Sequence, residues 1–272
     1  MIRAPAPAKL NLALVVGPQR EHGKHEVATV LQRIDLGDRV ALSPAPRLMV
    51  EGYAGDTIVR QALEQLAAAA GVAPRWRAMI TKRIPIAAGL GGGSSDAATA
   101  LRLANETLDQ PLAAAALSTL AARLGADVPF FLESGPQLGR GDGSELTPLQ
   151  LPQDYWIVLV LPHGVAKEST ATVYRRFEER DGVQGWTSRL ETLEGALARI
   201  IRPRDLAALP ANDLAASPLT AELVRLGAFR ADVTGAGPAV YGLFRHRRQA
   251  EAAQAAVRAA GRTWLAVPAW YG

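Results

Sequence analysis

Residues 84–98 place four glycines between an apolar segment and the start of a helix, and this feature constrains the fold most. The segment reads Ile-Pro-Ile-Ala-Ala-Gly-Leu-Gly-Gly-Gly-Ser-Ser-Asp-Ala-Ala. Glycine lets backbone N–H groups approach an anion closely, and the free amides and positive dipole end of the following helix favour negative charge. We therefore predict a phosphate-binding loop whose contact residues are Pro85, Gly89, Leu90, Gly91, Gly92, Gly93, Ser94 and Ser95.

Two other interpretations of the glycine run are a flexible linker and an ordinary helix N-cap formed by Ser-Ser-Asp. Linkers are polar on both sides, whereas this run lies between an apolar strand and a helix with apolar residues at regular spacing. The flanks therefore favour the phosphate loop. Its spacing fits neither the P-loop nor the dinucleotide-binding fingerprint, and Asp96 would repel a phosphate unless it points away or binds a cation.

Composition excludes several classes of protein. The 272 residues include no cysteine, which excludes thiol catalysis, cysteine-bound metals and disulfides. No apolar run reaches about 18 residues and no signal-peptide core follows Met1, so we expect no membrane partner and a cytoplasmic location. A formal charge of +4 permits anionic substrates without requiring nucleic acid, and the basic run 245–248 lacks interleaved aromatic residues. His22 and His25 have no third ligand nearby, so no metal site is predicted there.

Strand and helix patterns alternate along the chain and predict an α+β fold. Strands are predicted at 8–16, in pieces around 40–51, and at 76–84, 137–147, 156–161 and 239–245. Helices are predicted at 57–70, 94–108, 112–124, 169–180, 187–201, 218–228 and 248–260. Pro148 and Pro152 indicate a boundary, which divides the chain into an N-terminal lobe, 1–150, and a C-terminal lobe, 151–272.

Three polar residues outside the loop are candidates for chemistry. Lys9 and Asn11 share one face of the first predicted strand, where a lysine offsets the charge that develops in phosphoryl transfer, although a lone strand lysine is usually solvated. Asp127 is either a general base or the N-cap of a short helix starting at Val128, and spacing alone favours the cap. A second glycine turn either faces phosphate or only connects two elements; it comprises Thr234, Gly235, Ala236 and Gly237.

Together these segments resemble the GHMP kinase superfamily. Its three motifs are a strand of Pro-x-Ala-Lys-x-Asn type, the loop Pro-x-x-x-Gly-Leu-Gly-Gly-Gly-Ser-Ser and a late glycine turn, and all three occur here in order. The matching segments span nearly the whole chain and include Pro7-Ala-Lys-Leu-Asn-Leu12, Gly89–Ala98, Gly125-Ala-Asp-Val-Pro-Phe130 and Asn212-Asp-Leu214. The resemblance is strongest to the branch whose acceptor carries a cytidine diphosphate group.

The resemblance implies a two-lobed α+β fold with the active site between the lobes. It implies ATP on the glycine loop, Mg²⁺ as the accompanying ion, and transfer of the γ-phosphate to a hydroxyl of a small molecule in non-mevalonate isoprenoid synthesis. Asp127 matches the family's catalytic base and Lys9 the lysine that orients it. The implied acceptor contacts are Asn11, Lys24, His25, Thr170 and Tyr174. We expect a monomer or homodimer.

The chain departs from the family pattern at several positions. Lys24 replaces the tyrosine expected to stack on cytosine, so its stem and ammonium would form one wall opposite Tyr174 through apolar and cation–π contact. Ala236 replaces a common serine, and Thr57-Ile58 replaces Asn-Leu near the adenine side. Three alternatives stay open. Lys24 and the altered loop favour a kinase for another polyol or amino alcohol. The other two are a non-catalytic nucleotide sensor of the same fold and a nucleic-acid binder, the latter suggested by the basic pI.

Overall fold

The structure, a computed structural model, describes residues 1–21, 23–53, 55, 58–165 and 168–269. Within these ranges the strands are β1 Ile2–Gln19, β2 His25–Pro44, β3 Met49–Glu51, β4 Trp76–Thr81, β5 Gln137–Arg140, β6 Glu145–Pro148, β7 Trp156–Pro162, β8 Arg230–Val233, β9 Val240–Phe244 and β10 Gly261–Ala266. The α-helices are α1 Ile58–Ala70, α2 Gly92–Asn105, α3 Ala114–Leu124, α4 Thr170–Glu179, α5 Trp186–Leu197, α6 Pro218–Arg225 and α7 Arg247–Ala256. Short 3₁₀ helices cover Pro129–Phe131 and Pro203–Ala208.

The first sheet is built around the long antiparallel hairpin of β1 and β2. Its strand order is β3-β4-β2-β5-β6, and β1 also pairs with β2. Register shifts lie between Pro7 and Ala8 and between Asn11 and Ala13. Such bulges bend a strand and re-aim its side chains. They flank the short stretch of β1 that carries Lys9 and Asn11.

The second sheet has the order β10-β7-β9-β8, with antiparallel neighbours. Its inner face shares a hydrophobic core with β1, where Leu10 and Leu12 pack in one cluster with Ile157, Leu159 and Tyr241. Burial of this apolar surface holds the two sheets together. The shared core fixes β1 of the first sheet against the second sheet. The predicted division at residue 150 stays a prediction.

Three helices cover the other side of the first sheet. α1, α2 and α3 bury apolar residues in one cluster with β2 and β4. In α2 the buried face includes Ala97, Ala100 and Ala104, whose small side chains allow close helix approach. None of the helices in the described ranges is long and apolar enough to cross a membrane.

The predicted α+β class is confirmed, and the differences from the predicted elements have physical causes. β1 begins at Ile2 rather than near residue 8, because β2 pairs with it as far as Leu42. β8 was not predicted because Arg230 and Asp232 make it look polar, yet the two side chains are buried against each other at 3.1 Å. α2 begins at Gly92, inside the glycine run.

Candidate active site

A cavity of about 500 Å³, here called the central cavity, opens where β1, the glycine loop, the segment after α3 and the late glycine turn meet. Concave sites of this size hold small molecules. The residues singled out from the sequence that line it are Lys9, Asn11, Pro85, Gly89, Leu90, Gly91, Gly92, Gly93, Ser94, Asp127, Thr170, Tyr174, Gly235, Ala236 and Gly237. Four others are not in its wall: Lys24, His25, Ser95 and Thr234.

The glycine loop takes a shape that side chains would obstruct. Gly89 and Gly91 have φ values of +81° and +69°, in the left-handed region that favours glycine. A Cβ on Gly89 would lie 2.5 Å from the carbonyl oxygen of Thr234. Gly91 is the N-cap of α2 and no side chain caps that end, so the predicted alternative of a Ser-Ser-Asp cap is wrong. The first-turn amides of α2 are thus left for a ligand.

Asp96 points away from the central cavity and is fully buried. Its Oδ2 lies 2.7 Å from Nζ of Lys82, which also contacts the buried Asp38 of β2. Asp38 additionally accepts backbone N–H groups from Arg83 and Ile84, just before the loop. Asp96 therefore braces the loop from behind and does not repel a phosphate in front of it.

Lys9 and Asp127 form an ion pair in the wall of the central cavity. The Lys9 side chain is 4% exposed and its Nζ lies 3.5 Å from Oδ2 of Asp127, which is 42% exposed. The same ammonium donates to Oδ1 of Asn11 at 2.5 Å. This lysine is therefore buried and directed, unlike a solvated strand lysine. The 3₁₀ helix after Asp127 has Val128 as its N-cap without a side-chain cap bond, so the predicted cap role of Asp127 is wrong.

The late glycine turn contacts both the glycine loop and β1. Thr234 is fully buried, and its Oγ1 accepts the backbone N–H of Asn11 at 3.0 Å. Gly235 has a φ of +59°, and a Cβ there would lie 3.6 Å from Nζ of Lys9. The turn is thus part of the site and more than a connection between two elements.

One end of the central cavity is walled by Tyr174 of α4. The ring of His25 stacks on Tyr174 with centroids 5.0 Å apart, while its Nδ1 lies 2.8 Å from the carbonyl oxygen of Gly17 and its Nε2 2.9 Å from Oε1 of Glu178. Each ring nitrogen thus lies within hydrogen-bond distance of an oxygen, which fixes the orientation of the ring. Burial raises the pKa of Tyr174 to about 12, with a smaller contribution from nearby carboxylates, and the phenol stays neutral.

Lys24 lies at the rim of the same end. Its side chain is 62% exposed, and its Nζ lies 2.5 Å from Oδ2 of Asp142, a residue of the cavity wall. Burial opposes ionisation of Asp142, but the hydrogen bonds from Lys24 and Ser144 prevail and lower the pKa of its carboxyl. The ammonium of Lys24 is therefore engaged by a carboxylate at the cavity rim.

Comparisons with known proteins agree, both for single domains and for the whole chain. The chain matches the GHMP kinases N terminal domain over residues 57–135 and the GHMP kinases C terminal domain over 213–263. The 4-diphosphocytidyl-2-C-methyl-D-erythritol kinase of Geobacter sulfurreducens is 36% identical over 288 residues, covering 96% of this chain and 95% of that protein. The chain belongs to the 4-diphosphocytidyl-2-C-methyl-D-erythritol kinase family, within the GHMP kinases. The Pelobacter propionicus kinase of the same name is 37% identical, covering 97% and 96%.

Solved structures agree with the fold of this GHMP kinase. A crystal structure of 4-(cytidine 5'-diphospho)-2C-methyl-D-erythritol kinase superposes with a TM-score of 0.81 at 32% identity, covering all of both chains. A mevalonate kinase superposes with a TM-score of 0.76 at 12% identity, covering 98% of this chain and 99% of that one, which supports the fold alone. The predicted two-lobed GHMP kinase fold is confirmed.

The described part of this GHMP kinase holds no group of three or more His, Cys, Asp or Glu side chains that would cage a metal ion. Mg²⁺ characteristically keeps several waters and takes one or two carboxylates plus substrate phosphates. Asp127 and Ser94 both line the central cavity and suit such an ion. His22 and Thr57, considered in the sequence analysis, lie outside the described residues.

Sequence reasoning missed two contributors to the site of this GHMP kinase, Lys82 and Asp142, and gave no role to Asn212. Lys82 carried no signal of its own, since its two carboxylate partners lie 44 and 14 residues away. The sequence signal closest to it was Asp96, whose charge beside a phosphate loop needed a partner. Asp142 follows Gly141, whose φ is +67°, in the turn between β5 and β6.

Proposed function

We propose that this kinase transfers the γ-phosphate of ATP to the 2-hydroxyl of 4-diphosphocytidyl-2-C-methyl-D-erythritol, in the non-mevalonate route to isoprenoid precursors. The observation that carries the proposal is the Lys9–Asp127 pair, 3.5 Å apart, which lines one cavity together with the uncapped N-terminus of α2. Relatives that match over nearly the full chain are 4-diphosphocytidyl-2-C-methyl-D-erythritol kinases, and they supply the identity of the acceptor.

The glycine loop binds the phosphates of ATP. Residues 89–93 line the central cavity, and the first amides of α2 have no side-chain cap. Backbone N–H groups and the positive end of the helix attract the phosphate oxygens. Pro85, Ser94 and Ser95 belong to the same segment, but Ser95 is fully buried, so we assign it to supporting the loop from the core side.

Asp127 acts as the general base. The acceptor oxygen attacks the γ-phosphorus, its proton passes to the Asp127 carboxylate, and the bond from the γ-phosphorus to the β–γ bridging oxygen breaks to release ADP. Lys9 orients Asp127 and offsets the negative charge that grows on the transferred group. Asn11 in turn fixes the ammonium of Lys9.

Asp127 and Ser94, together with phosphate oxygens of ATP, would hold Mg²⁺. It supplies charge neutralisation at the β- and γ-phosphates. This assignment agrees with a cavity wall that offers a carboxylate and a hydroxyl but no complete cage within the described residues.

The acceptor occupies the end of the cavity walled by Thr170 and Tyr174, next to Asn11. The cytidine ring stacks on Tyr174, and Lys24 and His25 border that wall. The late glycine turn begins at the buried Thr234 and contributes Gly235, Ala236 and Gly237 to the wall of the same cavity. Backbone amides of this turn replace the hydroxyl lost at Ala236. We further infer a cytoplasmic protein that acts on this small molecule without nucleic acid or membrane, as a monomer or homodimer. Its lobes are residues 1–150 and 151–272.

The decisive experiment measures ADP release from Mg-ATP by the wild type and Asp127→Ala. The acceptors are 4-diphosphocytidyl-2-C-methyl-D-erythritol, its cytidine-free counterpart and a panel of polyols and amino alcohols. We expect turnover with the cytidylated acceptor alone, falling by about 10²- to 10⁴-fold in the variant. Turnover with another acceptor only would refute the substrate, and ATP binding without any product would indicate a sensor.

A further inference from the structure

Asn212 belongs to the Asn-Asp-Leu segment that the proposed reaction leaves without a role. Its side chain is buried, with 9% exposed. Its Nδ2 donates to two backbone carbonyls, that of Val233 at the end of β8 at 2.9 Å and that of Gly235 in the late glycine turn at 2.7 Å. Its Oδ1 accepts the N–H of Leu214 at 2.8 Å. Both amide hydrogens are therefore used on the two sides of Thr234.

Thr234, held between those two carbonyls, connects the turn to β1. Its Oγ1 accepts the backbone N–H of Asn11, and its hydroxyl donates to the side-chain Oδ1 of Asn11 at 3.3 Å. That Oδ1 also accepts from the ammonium of Lys9, which lies 3.5 Å from Asp127. Hydrogen bonds on either side of the Val233–Gly235 backbone thus connect Asn212, through Thr234 and Asn11, with the Lys9–Asp127 pair.

We propose that Asn212 is a positioning residue for phosphoryl transfer, which acts through Thr234 and Asn11 on the ammonium of Lys9. This inference rests on the proposed function, because it concerns how that site is held. Asn212 is not a catalytic residue, since it is absent from the wall of the central cavity. Its effect is on the chemical step, whereas ATP binding depends on the glycine loop.

The neighbouring residue Asp213 has a different task. Its Oδ2 accepts the backbone N–H of Val16 at 2.8 Å and the Nε of Arg189 at 3.0 Å, and its backbone N–H donates to the carbonyl of Leu14 at 2.9 Å. These bonds fasten the segment to the far half of β1. Loss of the Asn212 amide therefore leaves the Asn-Asp-Leu segment attached to β1. It releases only the late glycine turn.

The test is Asn212→Asp, which keeps the shape of the side chain. It replaces the donor Nδ2 with a carboxylate oxygen, which faces the carbonyl oxygens of Val233 and Gly235. Asn105→Asp is the matched control. Asn105 ends α2 and is buried to a similar degree, and its Nδ2 donates to the backbone carbonyl of Leu112. We expect both variants to lose stability by thermal unfolding. Only Asn212→Asp should lose kcat, by about 10- to 100-fold, with the Kd for ATP within about twofold of the wild type.

A double-mutant cycle separates positioning from general damage. If Asn212 acts through Lys9, the effect of Asn212→Asp on kcat largely disappears in a Lys9→Met background, whereas independent effects multiply. Thr234→Val removes one hydroxyl from the same series and should reproduce the loss of kcat, which tests the inference even if Asn212→Asp fails to fold.

Equal kcat losses in Asn212→Asp and Asn105→Asp, or multiplicative effects with Lys9→Met, would overturn the positioning role. An unchanged kcat in a folded Thr234→Val would also overturn it. Absence of phosphoryl transfer in the wild type would instead overturn the proposed function, so the two failures are distinguishable.

Discussion

The Lys82 ammonium lies 2.7 Å from Oδ2 of Asp96, in the first turns of the helix that follows the glycine loop. The same ammonium contacts Asp38 on β2, and both carboxylate side chains are fully buried. A single cation thus joins the central strand of the first sheet to α2. The start of the glycine loop is thereby fixed to the sheet from behind.

Replacing Lys82 with methionine should destabilise the protein strongly. The change leaves two buried carboxylates without their cation, a situation that costs about 3–5 kcal/mol. We expect a corresponding fall in the free energy of unfolding measured with urea. Adding Asp96→Asn should restore part of the loss because one buried charge is removed; a Lys82→Met protein as stable as the wild type would contradict this account.

The same ammonium gives a defined pH dependence. Burial alone would lower the pKa of Lys82, but its hydrogen bonds to Asp38 and Asp96 outweigh burial and raise the pKa above its ordinary 10.5. The folded state therefore holds this proton more tightly than the unfolded chain does. Its contribution is complete below pH 10.5 and is lost as the pH rises through the higher folded pKa.

The measurement for this prediction is the difference in unfolding free energy between the wild type and Lys82→Met, followed from neutral to alkaline pH. We expect a constant difference below about pH 10 that narrows above it. Other groups that titrate in this range affect both proteins and cancel. A difference that stays constant to pH 12 would argue against the linkage.

Replacing Gly89 with alanine should destabilise the protein, whereas replacing Gly93 with alanine should not. At Gly89 a Cβ would meet the Thr234 carbonyl oxygen at 2.5 Å, and the positive φ adds strain, so we expect a loss of more than about 1 kcal/mol. At Gly93, inside α2, the nearest atom would be Ile58 Cδ1 at 3.6 Å, and helix propensity favours alanine by up to about 1 kcal/mol. Thermal unfolding of the two variants tests the contrast.

Tyrosine at position 24 should strengthen acceptor binding. Its ring would offer a second stacking surface opposite Tyr174, and stacking of a base on an aromatic ring contributes about 1–3 kcal/mol. Loss of the exposed Lys24–Asp142 ion pair costs less, up to about 1 kcal/mol. We expect KM for the cytidylated acceptor to fall by about tenfold in Lys24→Tyr.

Lys24→Gln is the control for that change, because it removes the ammonium without adding a ring. KM for ATP should stay the same in both variants, since the glycine loop is untouched. Similar acceptor KM values for Lys24→Gln and Lys24→Tyr would show that stacking at position 24 contributes nothing.

The sequence predicted the parts of the site that depend on local backbone conformation. The glycine loop was predicted because glycine lets backbone N–H groups approach an anion closely, and the order of strand, loop and helix was visible around it. Lys9 and Asn11 were placed on one face by strand alternation. Their roles, and that of Asp127, came from the resemblance to GHMP kinases.

What the sequence missed depends on pairing over long distances. β8 looks polar until Arg230 is seen to donate to the backbone carbonyl of Leu209, 21 residues earlier. Lys82 looks solvated until Asp38 is brought to it by the pairing of β2 with β4. The cap role favoured for Asp127 failed because Lys9, 118 positions earlier in the numbering, takes up its carboxylate. Local patterns contain no information about such partners.

The bond between Asn11 and Thr234 joins residues 223 positions apart. During synthesis the glycine loop and Asp127 therefore leave the ribosome long before the turn that completes their site. Contacts between residues so far apart in sequence form late in folding. Closing the long intervening loop costs entropy before the contact can stabilise the fold. Recovery of kinase activity in a refolding experiment should thus mark the final docking of the second sheet, and any earlier intermediate should be catalytically silent.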